Sequence, residues 1–188
     1  MSPVDAGRAL RDAAAAAARE VPALSHVVPG RILFVYNPAL AVRARVFPLA
    51  FDATGTRLSR DGRRRRPLVR VRGRIMRYVV EYGPRFLRAS PRRRLETLVH
   101  ELMHLSPFFN GTLSRAMRHG RADAAAYRER VRAAADAMEA RGGGEGAPLL
   151  DLGVQPVCLR WMRPFALGAG GAYSEGDLVP VAVRLTAP

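Results

Sequence analysis

Two histidines and a glutamate stand close together in the stretch VHELMHL, residues 99 to 105. His100 and His104 are four residues apart, so on a helix their imidazoles leave the same face one turn apart and can bind one metal ion. Glu101 follows the first histidine and can take a proton from a water molecule that the metal activates. This spacing predicts a hydrolytic site with zinc (Zn²⁺) as the metal.

A third ligand is needed, because a catalytic zinc ion has three protein ligands and one open position. His119 is the first candidate, since turn signals between 107 and 111 allow the chain to reverse and return it to the metal. Glu129 is the alternative, because a carboxylate from a later helix also serves as a zinc ligand. His26 is far from this segment in the sequence, and we expect it to be structural.

Three helices are predicted, and one of them carries this segment. Ser90 and Pro91 form a cap and a first turn, and leucines at helical spacing continue the helix until Ser106-Pro107, so the metal-binding pair lies on a helix from 91 to 106. A second helix is predicted over residues 121 to 141. An alanine-rich helix, capped by Ser2-Pro3 and running to about Glu20, is expected to dock weakly because its apolar face is mostly alanine.

Short apolar runs of branched and aromatic residues predict strands. They lie at 31 to 36, at 44 to 51 with Pro48 confining the strand to an edge or a bulge, around PLVRVRG, at 74 to 82, and in VCLRWM and VPVAVRL. The third and fourth runs meet at Gly73, and the fourth puts Met76, Tyr78, Val80 and Tyr82 on one face. The expected fold is α+β and zincin-like, with a small mixed or antiparallel sheet packed on the helix that carries His100.

Three segments are predicted along the 188 residues. The alanine-rich helix occupies residues 1–28, the catalytic core residues 29–142, and a glycine-rich linker with a C-terminal β segment residues 143–188. The stretch at 52 to 66 is expected to be a solvated loop, because it combines turn residues with a block of arginine.

Charge is the most unusual property of the composition. The net charge is +15, and all 31 basic residues are arginine. The arginine-rich segment from Arg57 to Arg94 contains only two acidic residues, Asp61 and Glu81. This excess of positive charge predicts a contact with nucleic acid or another polyanion. The alternative is that the arginine excess is a compositional bias. The single cysteine, Cys158, excludes an intrachain disulfide and suits the cytoplasm, and no stretch is long and apolar enough to predict a membrane span.

The region around the two histidines resembles the phage-type metallopeptidase family. In that family a strand like YVVEY precedes a helix carrying HELxHxxP, and a Phe-x-Gly segment and a late histidine follow. The matching residues here are Tyr78 to Tyr82, His100, Glu101, His104, Pro107, Phe109, Gly111 and His119. The resemblance covers residues 74 to 121 and implies that the three histidines bind zinc and that Glu101 is the general base. It departs from the family at Arg118, where members tend to have proline.

A shorter similarity, at the late His-Gly pair, is to SprT-like proteases, which act on proteins crosslinked to DNA. The leading prediction is a metallopeptidase that acts on a protein or peptide substrate, with the strand Ile75 to Tyr82 pairing with an extended substrate. Alternatives are an arginine-rich nucleic-acid-binding protein with a structural or vestigial metal, and a metal-dependent hydrolase of RNA or small molecules. Tyr127 and Arg118 are near the motif, but their sequence positions do not identify an oxyanion stabiliser.

Overall fold

The computed structural model describes residues 4–49, 68–71, 73–114, 124–140, 157–162, 172–173 and 178–183. Several features predicted above lie outside these residues. They are the Ser2-Pro3 cap, the arginine block at 52 to 66, the glycine-rich linker after residue 141, and His119 with its neighbour Arg118.

The chain has an α+β fold. The described strands are β1 (Val4–Asp5), β2 (Ile32–Tyr36), β3 (Ala44–Pro48), β4 (Leu68–Val71), β5 (Arg74–Ile75), β6 (Tyr78–Tyr82), β7 (Val157–Met162), β8 (Ala172–Tyr173) and β9 (Leu178–Val183). The α-helices are α1 (Ala6–Glu20), α2 (Pro84–Leu87), α3 (Pro91–Met103) and α4 (Ala124–Ala140). Short 3₁₀ turns at Pro22–Leu24 and Pro29–Arg31 lead from α1 into β2. Among the described residues, no helix is long and apolar enough to cross a bilayer.

Six of the described strands form one mixed sheet. β2 pairs in parallel with β6 and β7, β1 is parallel to β7, and β9 is antiparallel to β7. β3 is antiparallel to β6 and, within the part of the chain that the structure describes, has no second partner, so it forms an edge of the sheet. A smaller sheet joins β5, β4 and β8. The mixed sheet agrees with the predicted α+β class.

Both faces of the sheet are covered. Ile32 and Phe34 of β2 belong to the core that packs on the long helices, whereas Leu33 and Val35 belong to a second cluster with Val69. Because successive residues of a strand point to opposite faces, a strand buried on both sides consists of apolar residues without alternation, as in ILFVY. The five residues of β6 are all buried for the same reason.

Helix α1 is closely packed, so the predicted weak docking is wrong. Asp5 caps it by accepting a hydrogen bond from the Arg8 N–H, and eight of its residues are buried: Ala6, Gly7, Ala9, Leu10, Ala13, Ala14, Ala16 and Ala17. Small side chains bury little area each, but they let the helix backbone come close to the sheet. The helix therefore belongs to the main core and is not an appendage.

Two further expectations need correction. The stretch 74 to 82 is not one strand: β5 ends at Ile75 and β6 begins at Tyr78, so Met76 lies in the second cluster while Tyr78 lies in the helix-facing core. The predicted boundary at 142/143 cuts through a sheet, because β7 and β9 pair with strands that precede it. The C-terminal strands are therefore part of the sheet that carries β6.

Candidate metal centre

Helix α3 positions the two motif histidines. It begins at Pro91, where Ser90 caps it by accepting the Arg93 N–H, and it ends at Met103, three residues earlier than predicted. His104 is the C-cap and keeps nearly helical dihedral angles (φ −73°, ψ −15°), so its imidazole stays on the same side as that of His100. The two Nε2 atoms are 3.2 Å apart.

The separation of these nitrogens fits a shared zinc ion. A tetrahedral zinc ion binds imidazole nitrogen at about 2.0–2.1 Å, which places two such nitrogens about 3.3 Å from each other. The Nε2 atoms of His100 and His104 meet this spacing within about 0.2 Å. The same distance also permits a hydrogen bond between the rings when one of them carries a proton on Nε2.

Glu101 is buried between α3 and β3. Its carboxylate accepts a hydrogen bond from the Val46 N–H, and only 6% of the residue is exposed. Burial raises the pKa of Glu101 to about 7, although the Val46 hydrogen bond opposes the rise. A carboxyl with a pKa near neutrality can both accept and return a proton under ordinary conditions, which is what a general acid–base group must do.

Tyr127 of α4 supports the histidine pair from outside the cleft. Its hydroxyl donates to the His100 carbonyl over 2.9 Å, and its ring centroid is 5.0 Å from that of His100 and 6.0 Å from that of His104. In a continuing α-helix the His104 N–H would bond to the His100 carbonyl. Here it bonds to the Glu101 carbonyl, so the Tyr127 hydroxyl takes its place at the His100 carbonyl. Burial and the charge of Glu101 raise the pKa of the Tyr127 hydroxyl. That hydroxyl therefore supports the C-terminal end of α3.

A tight loop carries the chain away from His104 and back. Tyr78 on β6 holds it: the hydroxyl donates to the Thr112 carbonyl (2.8 Å) and accepts the Gly111 N–H (3.1 Å). Phe109 has a positive φ of 45°, and its ring packs edge-on against Tyr78 at 4.9 Å. Gly111 has a φ of 83°, a conformation in which glycine has no steric penalty. These contacts give physical roles to the Phe-x-Gly segment.

The loop returns the chain to the histidine pair. The Ser114 N–H donates to the His104 carbonyl over 2.8 Å, and Ala124 begins the helix whose Tyr127 touches His100. The segment that contains His119 is thus flanked on both sides by residues of the site. His119 itself lies outside the described residues, so its role as the third ligand stays a prediction.

The alternative third ligand, Glu129, stands apart from the pair. It is exposed on α4 and does not line the cleft beside the histidines. His26, which is predicted to be structural, lies near the backbone of Leu105 and Ala23, and burial lowers the pKa of its ring. Among the described residues, no group of three His, Cys, Asp or Glu side chains could hold a metal ion.

An open cleft of about 810 Å³ leads to His100, Glu101 and His104. Its walls come from residues 42 to 46 of the β3 region, from α3 and from α4, with Leu113 of the returning loop. Sequence reasoning missed the part played by β3, because nothing in ARVFP indicates which helix the strand will face. Pro48 did signal an edge strand correctly.

Comparisons with known proteins add no relative. No family model, no curated protein and no solved structure matches this chain. The functional assignment therefore depends on the geometry of the site and on the motif.

Proposed function

We propose that this protein is a zincin-like, zinc-dependent metallopeptidase with Glu101 as its general base. The observation that carries the proposal is the 3.2 Å approach of the His100 and His104 Nε2 atoms beside a buried glutamate in an open cleft. A bound zinc ion would supply a Lewis acid that activates water and polarises the scissile carbonyl. The resemblance to the phage-type metallopeptidases points to the same residues.

Each residue has a distinct task in this proposal. His100 and His104 would hold a zinc ion, and His119 is the proposed third ligand. Glu101 would accept a proton from the attacking water and return it to the leaving amine. The Val46 N–H fixes the carboxylate on the cleft side of α3.

The edge strand β3 is the proposed binding strand for an extended substrate, in place of the predicted strand 75 to 82. β6 cannot serve, because it lies between β2 and β3 and both its edges are paired. The peptide groups of odd-numbered residues in β3 form the hydrogen bonds to β6. Two bonds at the ends of the strand indicate this: the Gly83 N–H donates to the Arg43 carbonyl, and the Leu49 N–H donates to the Arg77 carbonyl. The peptide groups of Ala44 and Val46 therefore face the cleft, on the side of β3 that has no strand partner among the described residues. The Val46 N–H bonds to Glu101 there, so the Ala44 groups and the Val46 carbonyl are the ones to which a peptide can add as a further strand.

Metal content is the first test. Mass spectrometry of untagged protein is expected to give about one zinc per wild-type chain and a clear loss in His100→Ala, His104→Ala and His119→Ala. His26→Ala is the matched control and should keep its zinc. Wild-type protein that neither contains zinc nor takes it up would refute the proposal.

Activity is the second test. Zinc-loaded protein should cleave an unstructured protein substrate, and a chelator should stop the cleavage. Glu101→Gln should keep zinc and lose at least about 100-fold in kcat/KM, since general acid–base catalysis contributes that much or more. A Glu101→Gln variant with full activity would remove Glu101 from the mechanism.

A further inference from the structure

Arginine residues line both walls of the cleft. Arg43 and Arg45 lie at β3, Arg93 on α3, and Arg128 and Arg132 one turn apart on α4. All five are exposed. A ligand in the cleft would therefore have arginine residues on two opposite sides.

Only part of this charge is neutralised within the protein. Arg45 pairs with Glu81 over 2.9 Å, and Arg93 pairs with Glu96 over 2.7 Å. For Arg43, Arg128 and Arg132, the described parts of the chain contain no carboxylate at ion-pair distance. These three side chains leave a positive potential over the approach to the histidines, and low-dielectric walls concentrate that potential.

The basic lining continues beyond the cleft. A neighbouring hollow of about 520 Å³ shares Arg43 and Arg93 with it and adds Arg85 and Arg88 from α2. Neither Arg85 nor Arg88 has an ion pair with another described residue. A chain lying along β3 would thus pass further arginines after leaving the metal centre.

The lining between the arginines suits a polypeptide better than a nucleic acid. Val42, Val46, Leu113 and Val131 contribute apolar surface, and the lining that the structure describes contains no Phe, Tyr or Trp. Single-stranded nucleic acids are bound largely by stacking on aromatic rings, which this part of the lining does not offer. The outward-facing peptide groups of β3 at Ala44 and the Val46 carbonyl offer main-chain hydrogen bonds to a peptide instead.

We propose that the cleft selects acidic polypeptide segments, with Asp or Glu side chains on both sides of the scissile bond. The planar guanidinium groups of Arg43, Arg128 and Arg132 bind such carboxylates in a bidentate manner. This proposal rests on the proposed peptidase function for the cleavage step, but it concerns binding, which can be measured separately.

The test uses two fluorogenic peptides of otherwise identical sequence. One contains Asp and Glu, and the other contains Asn and Gln at the same positions. Zinc-loaded wild-type protein should cleave the acidic peptide with a kcat/KM at least about tenfold higher, and added salt should reduce the difference. The double variant Arg128→Glu with Arg132→Glu should lose this preference. Arg130→Glu is the matched control on the same helix, because Arg130 is exposed and does not line the cleft.

A binding measurement tests the preference for acidic peptides independently of cleavage. Fluorescence anisotropy with the Glu101→Gln variant should show at least about tenfold tighter binding of the acidic peptide than of its amide counterpart. Tighter binding without cleavage by the wild type would support the acidic ligand and refute the peptidase. Equal binding of both peptides, or tighter binding of an oligonucleotide of equal charge, would overturn the acidic-polypeptide proposal.

Discussion

The Tyr127 hydroxyl donates a 2.9 Å hydrogen bond to the main-chain carbonyl of His100, and its ring lies against the imidazoles of both His100 and His104. One side chain of α4 therefore holds the end of α3 and the orientation of two proposed ligands. Such outer contacts commonly set how tightly a metal is held, because they fix the ligand rings before the metal binds.

Removal of this hydroxyl should weaken zinc binding without abolishing it. In Tyr127→Phe the ring contacts remain and the His100 carbonyl loses its bond, so we expect a loss of about 1 kcal/mol in unfolding free energy. The zinc affinity should fall by roughly tenfold. Urea denaturation and competition with a chelating dye measure the two effects. Tyr36→Phe is the control: Tyr36 makes no hydroxyl hydrogen bond to another described residue, and an equal effect there would contradict the assigned role.

The burial of Glu101 should make the metal-free protein less stable as the pH rises. Its folded pKa of about 7 exceeds the ordinary value of 4.5, so both states hold the proton below pH 4.5 and only the folded state holds it between 4.5 and 7. The unfolded state therefore gains stability over this interval, and unfolding free energy should fall by about 3 kcal/mol before levelling off above pH 7.

Urea denaturation of chelator-treated protein at several pH values measures this slope. Glu101→Gln should remove most of the slope, because glutamine does not titrate. Zinc-loaded wild type should also show a smaller slope, since a nearby cation favours the charged carboxylate. An unchanged slope in Glu101→Gln would assign the pH dependence to other groups.

The returning loop should depend on the Tyr78 hydroxyl. Tyr78→Phe leaves the buried Gly111 N–H and the Thr112 carbonyl without this partner, which should cost about 1–3 kcal/mol of unfolding free energy. Hydrogen exchange at the Gly111 amide should accelerate, while amides in α1 should keep their protection. Equal acceleration throughout the chain would indicate global destabilisation and not a local role in the loop.

Arg92 should hold α4 against α3. Its guanidinium bonds to Glu96, Asp136 and Glu139, with the shortest contact 2.6 Å to Glu139, and these hydrogen bonds raise its pKa against the opposing effect of burial. Arg92→Gln should cost about 1 kcal/mol at low salt and less at high salt, because the partners are partly exposed. Thermal unfolding at two salt concentrations measures it, with Arg8→Gln, which breaks an exposed pair with Asp12, as the control.

Local sequence signals predicted the helix that carries His100 and His104. The Ser90 cap, Pro91 and the leucine spacing define α3 within three residues, and Pro48 marks β3 as an edge strand. These signals succeed because caps and prolines act through the residues next to them. A hydrogen bond such as that from Tyr127 to His100 depends on how two helices pack, and no local pattern encodes it.

Tertiary packing overruled the local signals elsewhere. Alanine in α1 suggested a loosely held helix, yet close approach to the sheet buried Ala13 and Ala17 completely. The apolar run at 74 to 82 predicted one strand, but the strand is interrupted between Ile75 and Tyr78. In this interruption the Arg77 side chain donates a hydrogen bond to the Phe109 carbonyl. The strand that contacts Glu101 is set by the order of strands in the sheet. That order is a long-range property, so local sequence patterns do not predict it.

The parallel pairing of β1 and β2 with β7 also has a consequence for synthesis of the protein. Residues 4–5 and Tyr36 pair with residues 157–158 and Trp161, so the strands that precede α3 stay without these partners until β7 has emerged from the ribosome. Contacts between such distant residues form slowly, because the loop between them must close first. The nascent chain therefore cannot complete this sheet before β7 has been synthesised.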